Sequence, residues 1–314
     1  MVEDSLDGIL AKFGINNVEK FDLVHGGFNK NWIVSAQKKK YILKRRSINE
    51  KQNSEKECKI ASLLIENGIS TAMPISNKNE NFCVEHGPFV YSLFEYIDGK
   101  KFNGSKRNIE MIAEAMARIH LIKNEMNINF EGDCISWGKY WILSYASKYI
   151  SEIINCYNNA ERTIRRSKFP KAIIHWDIHP GNVIYSGDNV YVFDLEFIHR
   201  DYRIVDISNS LTLLAGINLK KVNYGDAMTF IQKCKIDLKK ASWFVKAYNK
   251  INKLSEIEIQ NLPSFLQITW LGWSFYTLYK KKIVDTDLSD IIYLPKWVEE
   301  NKNNIINKLK VVVR

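Results

Sequence analysis

No stretch of the sequence approaches the ~20 consecutive apolar residues that a helix needs to cross a bilayer. The first residues, Met1-Val2-Glu3-Asp4-Ser5, carry early acids and lack the basic-then-apolar order of an export signal. These absences predict a cytoplasmic protein with no membrane partner. Cysteines are few and scattered: Cys58, Cys83, Cys134, Cys156 and Cys234 make an odd number with no CxxC pair. A disulfide framework or a zinc site needs paired or clustered spacing, so reduced, mostly structural thiols are expected. There is no internal repeat and no low-complexity linker, so any division of the chain must come from its secondary-structure pattern.

What is present is ordinary for a globular protein: 314 residues, 46% hydrophobic and 25% charged, enough for one large domain or two lobes. The 45 basic and 35 acidic side chains leave a net charge of +10. The basic runs (Lys38-Lys39-Lys40, Lys44-Arg45-Arg46, Arg165-Arg166, Lys280-Lys281-Lys282) are short and lie in no nucleic-acid motif. They read as dispersed surface charge, and no nucleic-acid partner is expected.

Residues 18–28, 30–36 and 40–46 are short β-rich runs broken by Gly26-Gly27 and by the Lys38–Lys40 turn. A helix fits 50–66, with Cys58, Ala61, Leu64 and Ile65 on one face and Asn67-Gly68 as its stop. Strands at 81–86 and 89–96 follow. Beyond Asp98-Gly99 the pattern turns helical, over 106–121 and 137–166. Two apolar runs, Ala172–Ile174 and Val190–Phe193, interrupt it, and 205–313 is again mainly helix. The layout is α+β and fits, as one option among several on pattern alone, a bilobal protein-kinase-like fold: a β-rich N-terminal lobe with one helix (1–97) and a larger, mainly helical C-terminal lobe (98–314).

His175-Trp176-Asp177-Ile178-His179-Pro180-Gly181-Asn182 carries the most chemistry. Phosphoryl transfer needs a carboxylate for the acceptor's hydroxyl proton, oxygen ligands for Mg²⁺, and cations around the phosphates. A His-x-Asp loop with Asn five residues after the Asp supplies the first two, and Asp177 and Asn182 have that spacing. Asp194 lies twelve residues beyond Asn182, after the strand-like run Val190–Phe193, where a second metal-binding carboxylate belongs.

This loop, with Val192-Phe193-Asp194-Leu195-Glu196, resembles the aminoglycoside phosphotransferase and choline kinase superfamily, whose loop reads HGD-[LI]-H-x-x-N. Arg203-Ile204-Val205-Asp206 and the helix end Ala113–His120 resemble further segments of that family, in the right order over roughly residues 20 to 280. The resemblance implies Asp177 as catalytic base and Asn182 and Asp194 as magnesium ligands. It implies loop-supporting roles for His175, His179, His120 and Asp206. Trp176 departs from the family, which has Gly there, and its ring is expected to crowd the loop.

The resemblance also implies a nucleotide site for ATP or GTP. Gly26-Gly27-Phe28-Asn29 matches the superfamily's reduced Gly-x-x-Asn phosphate loop, giving Gly26, Gly27 and Asn29 as binding residues. Lys44 lies on the third strand, the position from which an ammonium reaches the phosphates. Glu57 is its implied partner through an E-x6-L-x3-G pattern with Leu64 and Gly68, with Glu55 as the alternative. The stretch from Glu95 to Ile97 would be the hinge that reads adenine with its backbone.

The partner expected is a small-molecule hydroxyl substrate. Candidate acceptor contacts are Glu196, Asp201, the acids of 285–290, and an aromatic row of Trp270, Trp273 and Tyr276, each of which also has a plain structural reading. The net positive charge disfavours a polycationic aminoglycoside. Residues 247–263 resemble homoserine-kinase-like and spore-coat-kinase-like branches. Two other readings stand beside the small-molecule kinase: a non-catalytic binding or coat protein retaining the fold, and a protein kinase. The latter lacks its DFG and APE signatures here.

Overall fold

The computed structural model describes residues 6–24, 29–123, 131–145, 150–218, 227–283 and 287–313. It divides the chain into two compact units, Met1–Lys101 with Asn182–Glu196, and Phe102–Gly181 with Phe197–Arg314.

The first unit opens with α1 (Leu6–Lys12), then β1 (Val18–Val24), β2 (Lys30–Ala36) and β3 (Lys39–Ser47) in an antiparallel meander. Helix α2 (Lys51–Glu66) follows, then β4 (Pro74–Ile75), β5 (Cys83–His86) and β6 (Phe89–Glu95). β6 lies beside β3 and pairs with both β4 and β5 on its other edge. Strand period two sorts β3 into two faces. Tyr41 and Leu43 enter a core with Val34, Tyr91, Leu93, Ile9 and Leu10. Ile42, Lys44 and Arg46 point to the opposite face. There α2 buries Ser54, Glu57, Cys58, Ala61 and Leu64, a stripe at helical spacing.

Residues 182–196, expected within the helical lobe, belong to the first unit instead. β7 (Lys100–Lys101) pairs with β9 (Val183–Ser186), which pairs with β10 (Asn189–Val192). The Val192 N–H donates to the Ser70 carbonyl at 3.1 Å, and Thr71 Oγ1 donates to the Val192 carbonyl at 2.6 Å. These two bonds tie the hairpin to the loop after α2.

The second unit holds α3 (Lys106–Ile119), α4 (Cys134–Leu143), α5 (Ile150–Ile164), β8 (Lys171–Ile174) and β11 (His199–Tyr202). After them come α6 (Arg203–Leu214), β12 (Gly216–Asn218), β13 (Cys234–Ile236), α7 (Leu238–Ile251), α8 (Glu256–Lys280) and α9 (Ser289–Val313). The helix expected over 137–166 is thus two helices, α4 and α5. The β12–β13 pair also interrupts the expected helical tail.

Helix α8 is buried on nearly every side, with α4, α5, α6 and α9 packed around it. Ser255 and Glu258 start it with a reciprocal capping box. Arg203, at the head of α6, forks onto Glu258 with both bonds at 2.8 Å. Where α4 crosses α8, Gly138 and Gly272 face each other. A Cβ on Gly138 would stand 2.6 Å from the Tyr157 hydroxyl and 3.3 Å from the Gly272 Cα. Only paired glycines allow that approach.

Candidate functional site

In the first unit, two cations and three acids form one chain of contacts. Lys44 Nζ lies 2.7 Å from Glu57 Oε1 and 3.3 Å from Asp194 Oδ1. Arg46 Nη2 lies 2.9 Å from Glu57 Oε2 and 3.0 Å from Glu196 Oε2. Asn29 Nδ2 donates to Glu196 Oε2 at 3.3 Å. Burial alone would lower the Lys44 pKa, but Asp194 and Glu57 hold it above its ordinary value, so the ammonium stays charged. Burial and the Asp194 charge push the Glu196 carboxyl up, while Arg46 and Lys44 oppose the rise.

Hairpin geometry places Asn182 and Asp194 at one end. Val192 pairs with Val183, and the Phe193 N–H donates to the Asn182 carbonyl at 2.9 Å. Asn182 therefore precedes β9 and Asp194 follows β10 on the same open edge. Asp194 has φ +60°, a left-handed conformation that an aspartate tolerates at some cost. A carboxylate and an amide carbonyl are hard oxygen donors, without thiol or imidazole, and suit Mg²⁺.

Other residues singled out in the sequence fall as follows. Glu55 is partly exposed and pairs with Lys51 at 3.6 Å, leaving Glu57 as the partner of Lys44. Glu95 closes β6 with its N–H given to the Met73 carbonyl at 2.9 Å, and Ile97 follows, half-buried. Gly26 and Gly27 lie outside the described residues. Arg46, read as surface charge, is only 3% exposed and sits inside the ion-pair chain. The signal for it was available: two residues beyond Lys44 on a strand is the same face. Glu196, weighed as a contact for a cationic substrate, already holds Arg46 and Asn29.

The second unit holds the loop around Asp177, and α6 organises it. The fully buried Asp206 carboxylate accepts the His175 N–H through Oδ2 and the Trp176 N–H through Oδ1, both at 2.9 Å. His120 Nε2 donates to Asp206 Oδ2 at 3.0 Å, which leaves Nδ1 to accept the Tyr248 hydroxyl at 2.7 Å. Asn209 Nδ2 donates to the Trp176 carbonyl at 2.9 Å, and Ser210 Oγ to the Ile178 carbonyl at 3.3 Å. His175 Nδ1 accepts the Asp177 N–H at 3.3 Å, and His179 Nδ1 accepts the Gly181 N–H at 2.9 Å. His179 Nε2 stands 3.9 Å from Asp177 Oδ2. The backbone on both sides of Asp177 is thus anchored, at the His175, Trp176, Asp177 and Gly181 N–H groups and the Trp176 and Ile178 carbonyls.

Trp176 does not crowd this loop. It takes φ +64°, the conformation that glycine adopts freely. Its ring turns away into an aromatic cluster, 4.6 Å from Trp137, 4.8 Å from His199 and 5.6 Å from Trp273, centroid to centroid. Tyr276 and Phe197 complete the cluster around Trp273 at 5.5 and 5.2 Å. The expected row of three splits: Trp270 is 5% exposed and donates Nε1 to the Ile291 carbonyl at 2.7 Å, which makes it core. Among the described residues the buried indole N–H groups of Trp141, Trp176 and Trp273 find no acceptor. Asp201, another acid weighed for substrate, is 2% exposed and accepts the Cys134 and Tyr202 N–H groups at 2.9 and 2.7 Å. Asp287 accepts the Ser289 N–H at 2.9 Å as a turn residue, and Asp285 lies outside the described residues.

With this geometry in view, the sequence matches the phosphotransferase enzyme family APH over residues 22–220, more than half of the chain. The chain belongs to this family. It is therefore a small-molecule phosphotransferase of the α+β, kinase-like fold. A homoserine kinase of Methylobacillus flagellatus is 23% identical over 266 residues, 80% of this chain and 77% of the relative. Among solved structures, amicoumacin kinase hAmiN in complex with AMP-PNP and Ca²⁺ shares the fold with a TM-score of 0.68 at 15% identity, covering 97% of this chain and 94% of that one. The spectinomycin phosphotransferase APH(9)-Ia, bound to ADP and spectinomycin, matches with a TM-score of 0.65 at 14% identity, covering 98% and 97%. Among the described residues no helix is long and apolar enough to cross a membrane.

Proposed function

We propose that the phosphotransferase moves the γ-phosphoryl group of ATP, with Mg²⁺, to a hydroxyl of a small polar metabolite. The observation that carries this reading is Lys44 held between Glu57 and Asp194. A buried, permanently charged ammonium beside a carboxylate fits a triphosphate and its metal. Structures of related fold hold AMP-PNP with Ca²⁺, or ADP.

In this reading the first unit binds the nucleotide. Lys44 donates to phosphate oxygens, Glu57 fixes the reach of its side chain, and Asn29 belongs to the phosphate loop with Gly26 and Gly27. The backbone from Glu95 to Ile97 reads the base. Asn182 and Asp194 would hold Mg²⁺, which when bound neutralises charge on the phosphates. In the second unit Asp177 accepts the proton of the attacking hydroxyl. The anchored backbone around it limits the reorganisation that transfer would need.

Because curated relatives are homoserine kinases, hydroxylated amino acids head the acceptor list. The test is ATP consumption with a panel of homoserine, choline, ethanolamine, sugars and an aminoglycoside. Transfer to one of them that disappears in Asp177→Ala, with Mg·ATP binding retained by calorimetry, supports the assignment. A wild-type rate in Asp177→Ala refutes the base. Failure of the native chain to bind Mg·ATP favours the non-catalytic reading.

A further inference from the structure

Cys58 and Cys83 lie on different elements and outside the phosphotransfer machinery, yet the fold sets both where α2 packs against β5 and β6. Lys44 pairs with Ser92, and Ser92 pairs with Cys83, so the three side chains form a lateral row on one face of the sheet. Helix α2 lies on that face. Glu57 descends from it onto Lys44, and Cys58, the next residue of the same buried stripe, is fully enclosed. Cys83 is on the outer strand and half-buried, whereas Cys58 is fully buried, so Cys83 is the member of the pair nearer to solvent.

We propose that Cys58 and Cys83 are a peroxide-sensitive modification site that closes into an intramolecular disulfide joining α2 to β5. The Cys83 sulfur attacks one oxygen of hydrogen peroxide, the O–O bond breaks, and one water leaves with the thiol proton, giving a sulfenic acid. The Cys58 sulfur then attacks the Cys83 sulfur. The S–O bond breaks, the S–S bond forms, and the hydroxyl departs with the Cys58 proton as a second water. Two thiols are oxidised and one peroxide is reduced to two waters.

The thiol–thiol hydrogen bond divides the roles. Donation from Cys58 pulls the Cys83 pKa below its ordinary value, while the same bond and burial push Cys58 up. Cys83 is thereby the nucleophile toward peroxide and Cys58 the resolving thiol. The other three thiols offer no competition. Burial pushes Cys156 up to about 11 and Cys234 up to about 12, and burial with Asp201 raises Cys134. The site rests on the geometry of the first unit alone and not on the phosphotransfer reading.

The test treats the full chain with a slight excess of hydrogen peroxide, alkylates remaining thiols and maps the peptides by mass spectrometry. The expected product is a peptide pair linked through Cys58 and Cys83, reversed by dithiothreitol, with Cys134, Cys156 and Cys234 still alkylated. Cys58→Ser should leave Cys83 as a sulfenic acid captured by dimedone. Cys83→Ser should leave Cys58 unoxidised. Alkylation of all five thiols after peroxide, or oxidation of Cys83 in the native chain without linkage to Cys58, overturns the proposal. The native-chain map decides it even if a variant misfolds.

Discussion

Trp176 sets two energies against each other at one residue. A left-handed backbone costs a side chain about 1–2 kcal/mol, while burying an indole at 6% exposure returns more than that. Trp176→Gly removes both, and should destabilise by about 2–4 kcal/mol, the loss of a large buried ring less the relief of strain. Trp176→Ala keeps the strain and loses the ring, so it should be about 1 kcal/mol worse than glycine. Urea unfolding of the three proteins checks the order Trp, Gly, Ala; alanine equal to glycine would mean that the conformation is not held in solution. Asp177 is the neighbour with the opposite character: in the proposed mechanism it serves the chemistry and contributes little to packing. Asp177→Asn keeps its size and should lower kcat by about 10²–10⁴-fold, the usual worth of a general base. Its thermal midpoint and nucleotide affinity should stay near native, as read by melting and calorimetry.

Elements show which parts of the fold a sequence exposes. Strands β2 and β3 and helices α2 and α3 announce themselves, because their buried faces repeat at two or 3.6 residues. The loop Asp177–Asn182 and Asp194 stand out for another reason: the proposed phosphotransfer with Mg²⁺ asks for certain residue types at set spacing. Other features depend on contacts between distant segments. Period alone did not show that β9 and β10 join the first unit, since that follows from β7 and from Thr71. Nor did it show that Trp137, on α4, would stand at the centre of the aromatic cluster. The α4–α8 crossing is of the same kind, and it can be tested. Gly138→Ala gains up to about 1 kcal/mol of helix propensity. The new methyl would meet the Tyr157 hydroxyl, which donates to the Ile135 carbonyl at 2.6 Å. Displacing it should cost about 1–3 kcal/mol and leave a net loss of stability. Chemical denaturation measures the balance, and a stabilised Gly138→Ala would show that α4 and α8 sit farther apart than this.

Across the whole molecule the two units should respond differently to acid, because their buried carboxyls are shifted in opposite directions. In the second unit burial favours the neutral form of Asp206, but the His120 hydrogen bond, neighbouring His120 and His175, and the His175 N–H hold its pKa below the ordinary value. Glu258, also buried, is held low by Arg203 and Ser255. A depressed folded pKa means stability that is present above the unfolded values, about 3.9 for Asp and 4.3 for Glu, and lost as pH falls through the folded ones. Glu196 in the first unit has the reverse sign. Its raised pKa favours the protonated folded form, so that unit gains from this group as pH falls through the folded value toward about 4.3. Seven of the eight tryptophans lie in the second unit and only Trp32 in the first, so indole emission reports mainly on the acid-sensitive part. Emission should hold steady to about pH 4 and change below it. Asp206→Asn supplies the control. At pH 7 it cannot accept all three donors and should cost about 3–5 kcal/mol, the penalty for breaking a buried charged network. As pH falls through the unfolded aspartate value of about 3.9 the unfolded chain takes up a proton that the folded carboxylate resists, so the gap in urea stability between the two proteins should narrow as pH falls from 5 to 2. A gap that stays constant across that range would mean Asp206 is not ionised in the folded protein, and that the anchoring of the loop by a charged acceptor is wrong.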